Sequence, residues 1–281
     1  LLGTSLSPIV SQLSFADGNI TPISILLGIL LGILVGFILQ PISAYTIKAH
    51  NGYNLYNIGF ASGLLATLIM SIFRSFGIEF DSRLIWHTGS NKELFIFLII
   101  ICIYLICIGL FTSKGWSKDL LKLNKQSGRL VSDFYFLFGP VTYINMGILG
   151  LIATFFVILI KGDLNGATLC GIFTIIGFGA FGKNLKNVIP IMLGAIIGAF
   201  LNVKAINSPS LILSILFSTT LAPIAGKFGW KAGILAGIMH LCVVTNVGYL
   251  HGGLNLYNNG LAGGIVAMVL IPLITAFKKE L

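Results

Sequence analysis

The sequence predicts an all-α integral membrane protein made of two inverted-topology repeats with interrupted or re-entrant helices. Three observations carry this. Of 281 residues, 56% are hydrophobic and only 9% charged, with a mean hydropathy of +1.00, whereas an ordinary soluble domain carries roughly a quarter charged residues. Nine apolar segments recur with Gly, Pro, Asn or charge between them. A pair of short motifs occurs twice, in the same order.

The apolar segments fall at about 22–43, 59–76, 93–112, 136–160, 166–182, 187–203, 209–226, 231–249 and 259–277. The longer ones suit a bilayer core. Those of 16 to 18 residues read as tilted spans, half-spanning pieces or helices buried in protein, three readings that hydropathy leaves open.

The longest polar stretch, 113–135, carries Lys114, Lys118, Lys122, Lys125 and Arg129 at spacings that align them on one helical face, with Leu120, Leu121 and Leu123 as a modest apolar side. It reads either as an interfacial helix against anionic headgroups or as a solvated basic loop. Both place it in the cytoplasm, because short loops rich in Lys and Arg stay inside. The net charge of +9 follows from such loops, with no basic stripe for nucleic acid. Cys102, Cys107, Cys170 and Cys242 all sit in apolar segments without C-x-x-C spacing, so they read as buried small residues rather than as a disulfide frame or zinc site. No basic n-region precedes an apolar core at the start of the chain, so no signal peptide is read there.

The repeat organises the chain. His50-Asn-Gly-Tyr-Asn-Leu-Tyr-Asn-Ile-Gly-Phe-Ala-Ser-Gly63 matches His251-Gly-Gly-Leu-Asn-Leu-Tyr-Asn-Asn-Gly-Leu-Ala-Gly-Gly264, with nine of fourteen positions identical. An apolar helix precedes each copy. Before that helix, Leu1-Leu-Gly-Thr-Ser-Leu-Ser-Pro-Ile9 matches Leu216-Phe-Ser-Thr-Thr-Leu-Ala-Pro-Ile224. Two matches in one order indicate duplication. The repeats are read as 1–112 and 136–281, with 113–135 as connector. Segments matching 136–203 are expected ahead of Leu1, and a counterpart of 93–112 beyond Leu281.

Charge orients the copies. With 113–135 inside, the loop 74–93 is outside, where Arg74, Arg83 and Lys92 are balanced by Glu79, Asp81 and Glu93. Lys183, Lys186, Lys227, Lys231, Lys278 and Lys279 then fall inside and Lys204 outside. Seven apolar segments separate the motifs, an odd number, so the copies are expected to run oppositely. Inverted repeats meet near mid-bilayer, where interrupted helices present polar backbone to a path.

The motif residues fit that place. Gly52, Gly59, Gly63, Gly253, Gly260 and Gly264 allow close helix contact or a backbone break. Asn54, Tyr56, Asn57, Asn255, Tyr257 and Asn258 supply neutral donors and acceptors where unsatisfied groups are costly. Two roles stay open for the asparagines, capping broken helix ends or lining a substrate path. Thr4, Ser5, Thr219 and Thr220 precede Pro8 and Pro223, which interrupt the helix and free carbonyls; back-bonding inside a tilted helix is the other reading of these hydroxyls. His50 and His251 repeat with the motif and are candidates for a proton-linked step. His240, mid-helix, reads as a packing histidine.

The run Ser218-Thr-Thr-Leu, the helix Gly233-Ile-Leu-Ala-Gly237, then Gly253-Leu-Asn-Leu-Tyr-Asn and Ala262-Gly-Gly264 resemble the urea transporter pattern, and Gly52-Tyr-Asn54 is similar. The chain also resembles two-repeat bacterial membrane proteins of unassigned function. The urea transporter resemblance covers about 50 residues per half. It implies a homotrimer with one pore per protomer, Asn54 and Asn255 as turn asparagines, and Thr219 and Thr220 as pore hydroxyls. Slot phenylalanines would come from Phe15, Phe217 or Phe228. The near-pore acids of that family have no counterpart here.

The expectation is therefore a channel or facilitative transporter for a small neutral polar solute, urea or amide-like, in a bacterial inner membrane. The alternatives are an ion- or proton-coupled transporter or a non-transporting structural subunit. An enzyme is disfavoured, since no Asp, Glu, His or Cys cluster is apparent. No cofactor, metal or nucleic-acid partner is expected; the bilayer, the solute and further copies of the chain are.

Overall fold

The computed structural model describes residues 2–15, 20–80, 85–130 and 132–279. Leu1, Asp81, Arg83 and the side chains of Lys278 and Lys279 lie outside the description.

Every regular element among the described residues is helical. In order they are a 3-10 turn Leu2–Leu6, α1 Ser7–Phe15, α2 Pro22–Ala49, α3 Asn57–Ser75, α4 Asn91–Thr112, α5 Trp116–Leu123, α6 Phe134–Phe138, α7 Val141–Leu159, α8 Gly166–Phe178, α9 Leu185–Phe200 and α10 Pro209–Ser218. A second 3-10 turn Thr219–Leu221 follows, then α11 Ala222–Phe228, α12 Trp230–Val247 and α13 Asn258–Lys279. Among the described residues, seven stretches are long and apolar enough to span a bilayer: α2, α3, α4, α7, Pro209–Phe228, α12 and Asn258–Phe277. Their outward faces are apolar, as Phe37 on α2, Ile100 on α4 and Val269 on α13 illustrate. Such faces suit lipid, and the chain is an integral membrane protein.

The element order repeats. A 3-10 turn, a short helix, a long helix, a bent turn and another long helix occur as Leu2–Leu6, α1, α2, 50–56, α3 and again as Thr219–Leu221, α11, α12, 248–257, α13. Helix starts are chosen by side-chain caps. Thr21 with Ser24, Asn165 with Thr168, and Asn184 with Asn187 form reciprocal capping boxes at α2, α8 and α9.

Two compact units form, and neither follows a repeat boundary. Unit 1 comprises Leu1–Asn51, Tyr56–Leu84 and Val243–Leu281; unit 2 comprises Gly52–Leu55 and Ile85–Cys242. Unit 1 packs Leu6, Ile9, Val35, Leu39, Leu65, Met70 and Leu254 into one core, with Phe60, Val244 and Leu261 in a second. In unit 2, α4 lies along α7 so closely that a Cβ on Gly150 would stand 2.6 Å from Cys102 Sγ. Small residues at such crossings let backbones approach and gain dispersion contact, the main source of helix association in lipid.

The basic connector differs from its expected form. Helix α5 ends at Leu123, so Lys118 and Lys122 share it while Lys125 and Arg129 lie beyond. Leu123 is fully buried and packs with Phe134, Val141 and Ile144, so the apolar side of α5 docks on protein. Leu121 is exposed. None of the four cysteines is in a disulfide; Cys102 is buried as expected, whereas Cys170 and Cys242, also expected to be buried, are exposed on apolar helices.

Candidate functional site

The two motif turns share one backbone conformation. Asn51 and Gly52 have φ of 52° and 73°, and their counterparts Gly252 and Gly253 have 54° and 82°. Two successive left-handed residues follow the end of α2 at Ala49 closely and that of α12 at Val247 after four residues. That conformation favours glycine, which supplies three of the four positions.

Each turn finds a partner that a proline has released. Pro8 and Pro223 lack an N–H, so the 3-10 turn before each cannot close on the carbonyl three residues back. Those carbonyls belong to Ser5 and Thr220. In unit 2 the Leu55 N–H donates to the Thr220 carbonyl at 3.0 Å; in unit 1 the Leu256 N–H donates to the Ser5 carbonyl at 2.9 Å. In both units the turn of one repeat is bonded to the broken helix of the other.

The flanking side chains differ between the two junctions. Thr220 Oγ1 donates to Asn54 Oδ1 at 2.5 Å, with both residues buried. At the other junction Asn255 Oδ1 turns back to accept the Tyr257 N–H at 3.2 Å. Among the described residues, Asn255 Nδ2 and Ser5 Oγ are then left buried with no hydrogen-bond partner. Thr4 is exposed, whereas Thr219 is fully buried. Tyr56 is buried and Tyr257 half-buried.

In unit 1, Asn57 gathers the end of α2. Its Nδ2 donates to the Ser43 carbonyl at 2.7 Å, and its Oδ1 lies 2.8 Å from Thr46 Oγ1 and 2.9 Å from His50 Nε2. An amide placed this way assigns the His50 proton to Nε2. The matching pair is His251, also buried, with Asn258 as its side-chain neighbour. Both histidines lie in the turns outside the spans. Burial lowers the pKa of each imidazole, opposed at His50 by Asn57 and at His251 by Asn258, and the Arg74 charge lowers His251 further.

Helices α3 and α13 meet through the motif glycines. A Cβ on Gly260 would lie 2.6 Å from the Gly59 backbone, one on Gly63 would lie 2.6 Å from Leu261, and one on Gly264 would collide with Phe60. Since Phe60 and Leu261 are themselves counterparts, the contact is reciprocal. Of the phenylalanines considered for a slot, Phe217 is buried, Phe228 packs on Tyr53 at 5.4 Å and Phe15 is exposed.

One charged residue is enclosed in protein, which its place between two apolar segments does not announce. Lys183, read as an inside loop cation, is fully buried in unit 2 between α8 and α9, where its Nζ donates to Thr219 Oγ1 at 2.8 Å and lies 5.1 Å from the Phe178 ring centre. Burial drives its pKa well below the ordinary lysine value. Asparagines fix the backbone of its turn: Asn145 Nδ2 donates to the Lys183 and Gly179 carbonyls, and Asn187 Nδ2 to the Gly182 carbonyl. Asn184 Nδ2 reaches the carbonyls of Leu123 and Gln126. The neighbouring Asn184 and Asn187, at cap spacing, were the available sequence signal.

A family model described as "Protein of unknown function (DUF1576)" matches residues 1–75 and 112–276. The chain belongs to this family. The DUF1576 match contains both motifs, both prolines and Lys183, and leaves out 76–111, which holds α4 except its last residue. No curated protein and no solved structure matches the chain.

Proposed function

We propose that this DUF1576 protein carries a small neutral polar solute across a bacterial inner membrane, through two inverted repeats whose interrupted helices form the path. The observation that carries the reading is the Ser5–Asn255 junction. A buried hydroxyl and a buried amide N–H₂ without partners each cost about 1–3 kcal/mol. A solute with its own donor and acceptor, such as urea or a small amide, satisfies both. The crossed bonds of Leu55 and Leu256 support the inverted arrangement, since each repeat supplies the turn that the other's broken helix receives. The urea transporter resemblance points to the same solute class and to a trimer.

A second reading, an ion- or proton-coupled transporter, is favoured by Lys183. Ionisable groups enclosed at helix breaks are typical of coupled carriers. Purified protein in liposomes separates the two: the first reading predicts downhill entry of urea or acetamide without any ion gradient, the second accumulation only under a proton or sodium gradient. A preparation that moves no solute under either condition removes both.

A further inference from the structure

The end of unit 2 where the chain passes from α4 to α7 bears a basic and aromatic surface. The last turns of α4 lie against the first turn of α7: a Cβ on Gly109 would stand 2.5 Å from Ile144 Cγ1 and 3.0 Å from the Pro140 carbonyl oxygen. Two apolar spans therefore end at one level. Gly115, with a φ of 79°, turns the chain from α4 into α5. Leu120 and Leu123 of α5 then pack on Phe134, Val141 and Ile144. The helix is thus held at the ends of the spans, at the depth of the headgroups.

The side of α5 turned away from the protein carries Lys118, Leu121 and Lys122, with Lys114 and Lys125 flanking it; all five are exposed. The segment 113–140 holds two acids. Asp119 pairs with Lys122 at 2.8 Å, and Asp133 accepts the Phe136 N–H at 2.9 Å. Among the described residues, Lys114, Lys118 and Lys125 have no acidic partner. Their neighbours are apolar: Trp116 is 41% exposed, Phe111 at the end of α4 is 89% exposed and Phe136 on α6 is 87% exposed.

Water suits the ammonium groups but not the rings, and acyl chains the reverse. The bilayer interface suits both, because aromatic rings settle at headgroup level and a lysine lays its methylenes along apolar surface while its ammonium stays with the phosphates. A zwitterionic headgroup brings a cation of its own, which unpaired lysines repel, so charge selects an anionic one. We propose that the α4–α5–α6 corner docks anionic phospholipids, with Lys114, Lys118 and Lys125 holding headgroup phosphates and Trp116, Leu121 and Phe136 reaching the first carbons of the acyl chains. The lipid is held whether or not a solute moves.

Trp116 reports on this corner once the other two tryptophans are replaced. The full chain with Trp86→Phe and Trp230→Phe is reconstituted in an equimolar mixture of phosphatidylglycerol and phosphatidylcholine, of which one or the other is chain-brominated. Brominated phosphatidylglycerol is expected to quench Trp116 as if enriched about threefold or more over phosphatidylcholine. With Lys114→Gln, Lys118→Gln and Lys125→Gln added, the two lipids are expected to quench equally. Equal quenching before the lysines are changed, a preference that survives their loss, or no quenching by either lipid overturns the proposal. A second measurement needs no tryptophan variant. The unfolding midpoint of the unaltered chain in detergent is expected to rise more with phosphatidylglycerol than with phosphatidylcholine, and the lysine variant to lose that difference. No difference in the unaltered chain, or the same difference in the lysine variant, overturns the proposal as well.

Discussion

Gly59 and Gly260 face each other where α3 crosses α13, with no room for a side chain between them: a Cβ on Gly260 would stand 2.6 Å from both the Gly59 Cα and carbonyl carbon. A Cβ on Gly59 would lie 3.2 Å from the Gly260 Cα. Backbone cannot rotate away as a side chain can. Gly260→Ala is therefore expected to destabilise by roughly 1–3 kcal/mol, and more than Gly59→Ala. Gly177→Ala, with nothing within 4 Å of its Cβ, should stay within about 0.5 kcal/mol. Thermal unfolding in detergent ranks the three; Gly177→Ala as damaging as Gly260→Ala would count against the crossing.

The Asn54–Thr220 pair predicts a coupling that Asn255 lacks. Asn54→Ala removes the oxygen to which the buried Thr220 hydroxyl donates, at a cost of about 0.5–1.5 kcal/mol. Because the two residues share one bond, the double variant with Thr220→Val should cost less than the sum of the single ones. Asn255→Ala removes an amide whose Nδ2 is unbonded, so it should cost less than Asn54→Ala. A double-mutant cycle on unfolding free energy measures this.

Helices and motif turns are legible in the residues because each leaves a local pattern: apolar runs of span length, Asn before the helix, Gly at a left-handed turn, Pro after a broken one. The Ser5–Leu256 and Thr220–Leu55 bonds are half legible. Pro8 and Pro223 say that carbonyls are released, but which N–H receives them depends on pairing across nearly the whole chain. Lys183 shows what local pattern leaves out. A lysine between two apolar segments reads as a solvated loop residue, and its contacts with Thr219 Oγ1 and the Phe178 ring appear only once the chain is folded. It also changes the argument about solute charge, since scarcity of charge in the sequence does not mean absence of charge inside. Lys125 and Arg129 illustrate the converse: helical spacing continues in the sequence after the helix has ended at Leu123.

Asn184 ties the turn before α9 to the 123–126 segment while capping the helix through the Asn187 N–H at 3.1 Å. Loss of the cap alone is worth about 0.5–2 kcal/mol, and the carbonyls of Leu123 and Gln126 lose a donor as well. Asn184→Ala should therefore lower the unfolding midpoint clearly. Asn202→Ala, which removes one exposed turn bond to the Lys204 N–H, should leave it unchanged.

The proposed opposed orientation of the repeats makes a labelling prediction. In a chain with Cys102, Cys107, Cys170 and Cys242 replaced by serine, a cysteine at exposed Lys125 should react with an impermeant maleimide only from the cytoplasmic side. One at exposed Lys204 should react only from outside. Labelling of both positions from one side would contradict the inverted arrangement.

The central claim is that the Ser5–Asn255 junction serves a moving solute, and stopped-flow light scattering on proteoliposomes tests it most directly. With urea or acetamide as the added solute, vesicles containing the protein should recover volume faster than protein-free vesicles. Asn255→Leu should slow that recovery by about tenfold, the equivalent of one buried hydrogen bond of about 1.4 kcal/mol. Recovery equal to that of protein-free vesicles for every neutral solute would contradict the account.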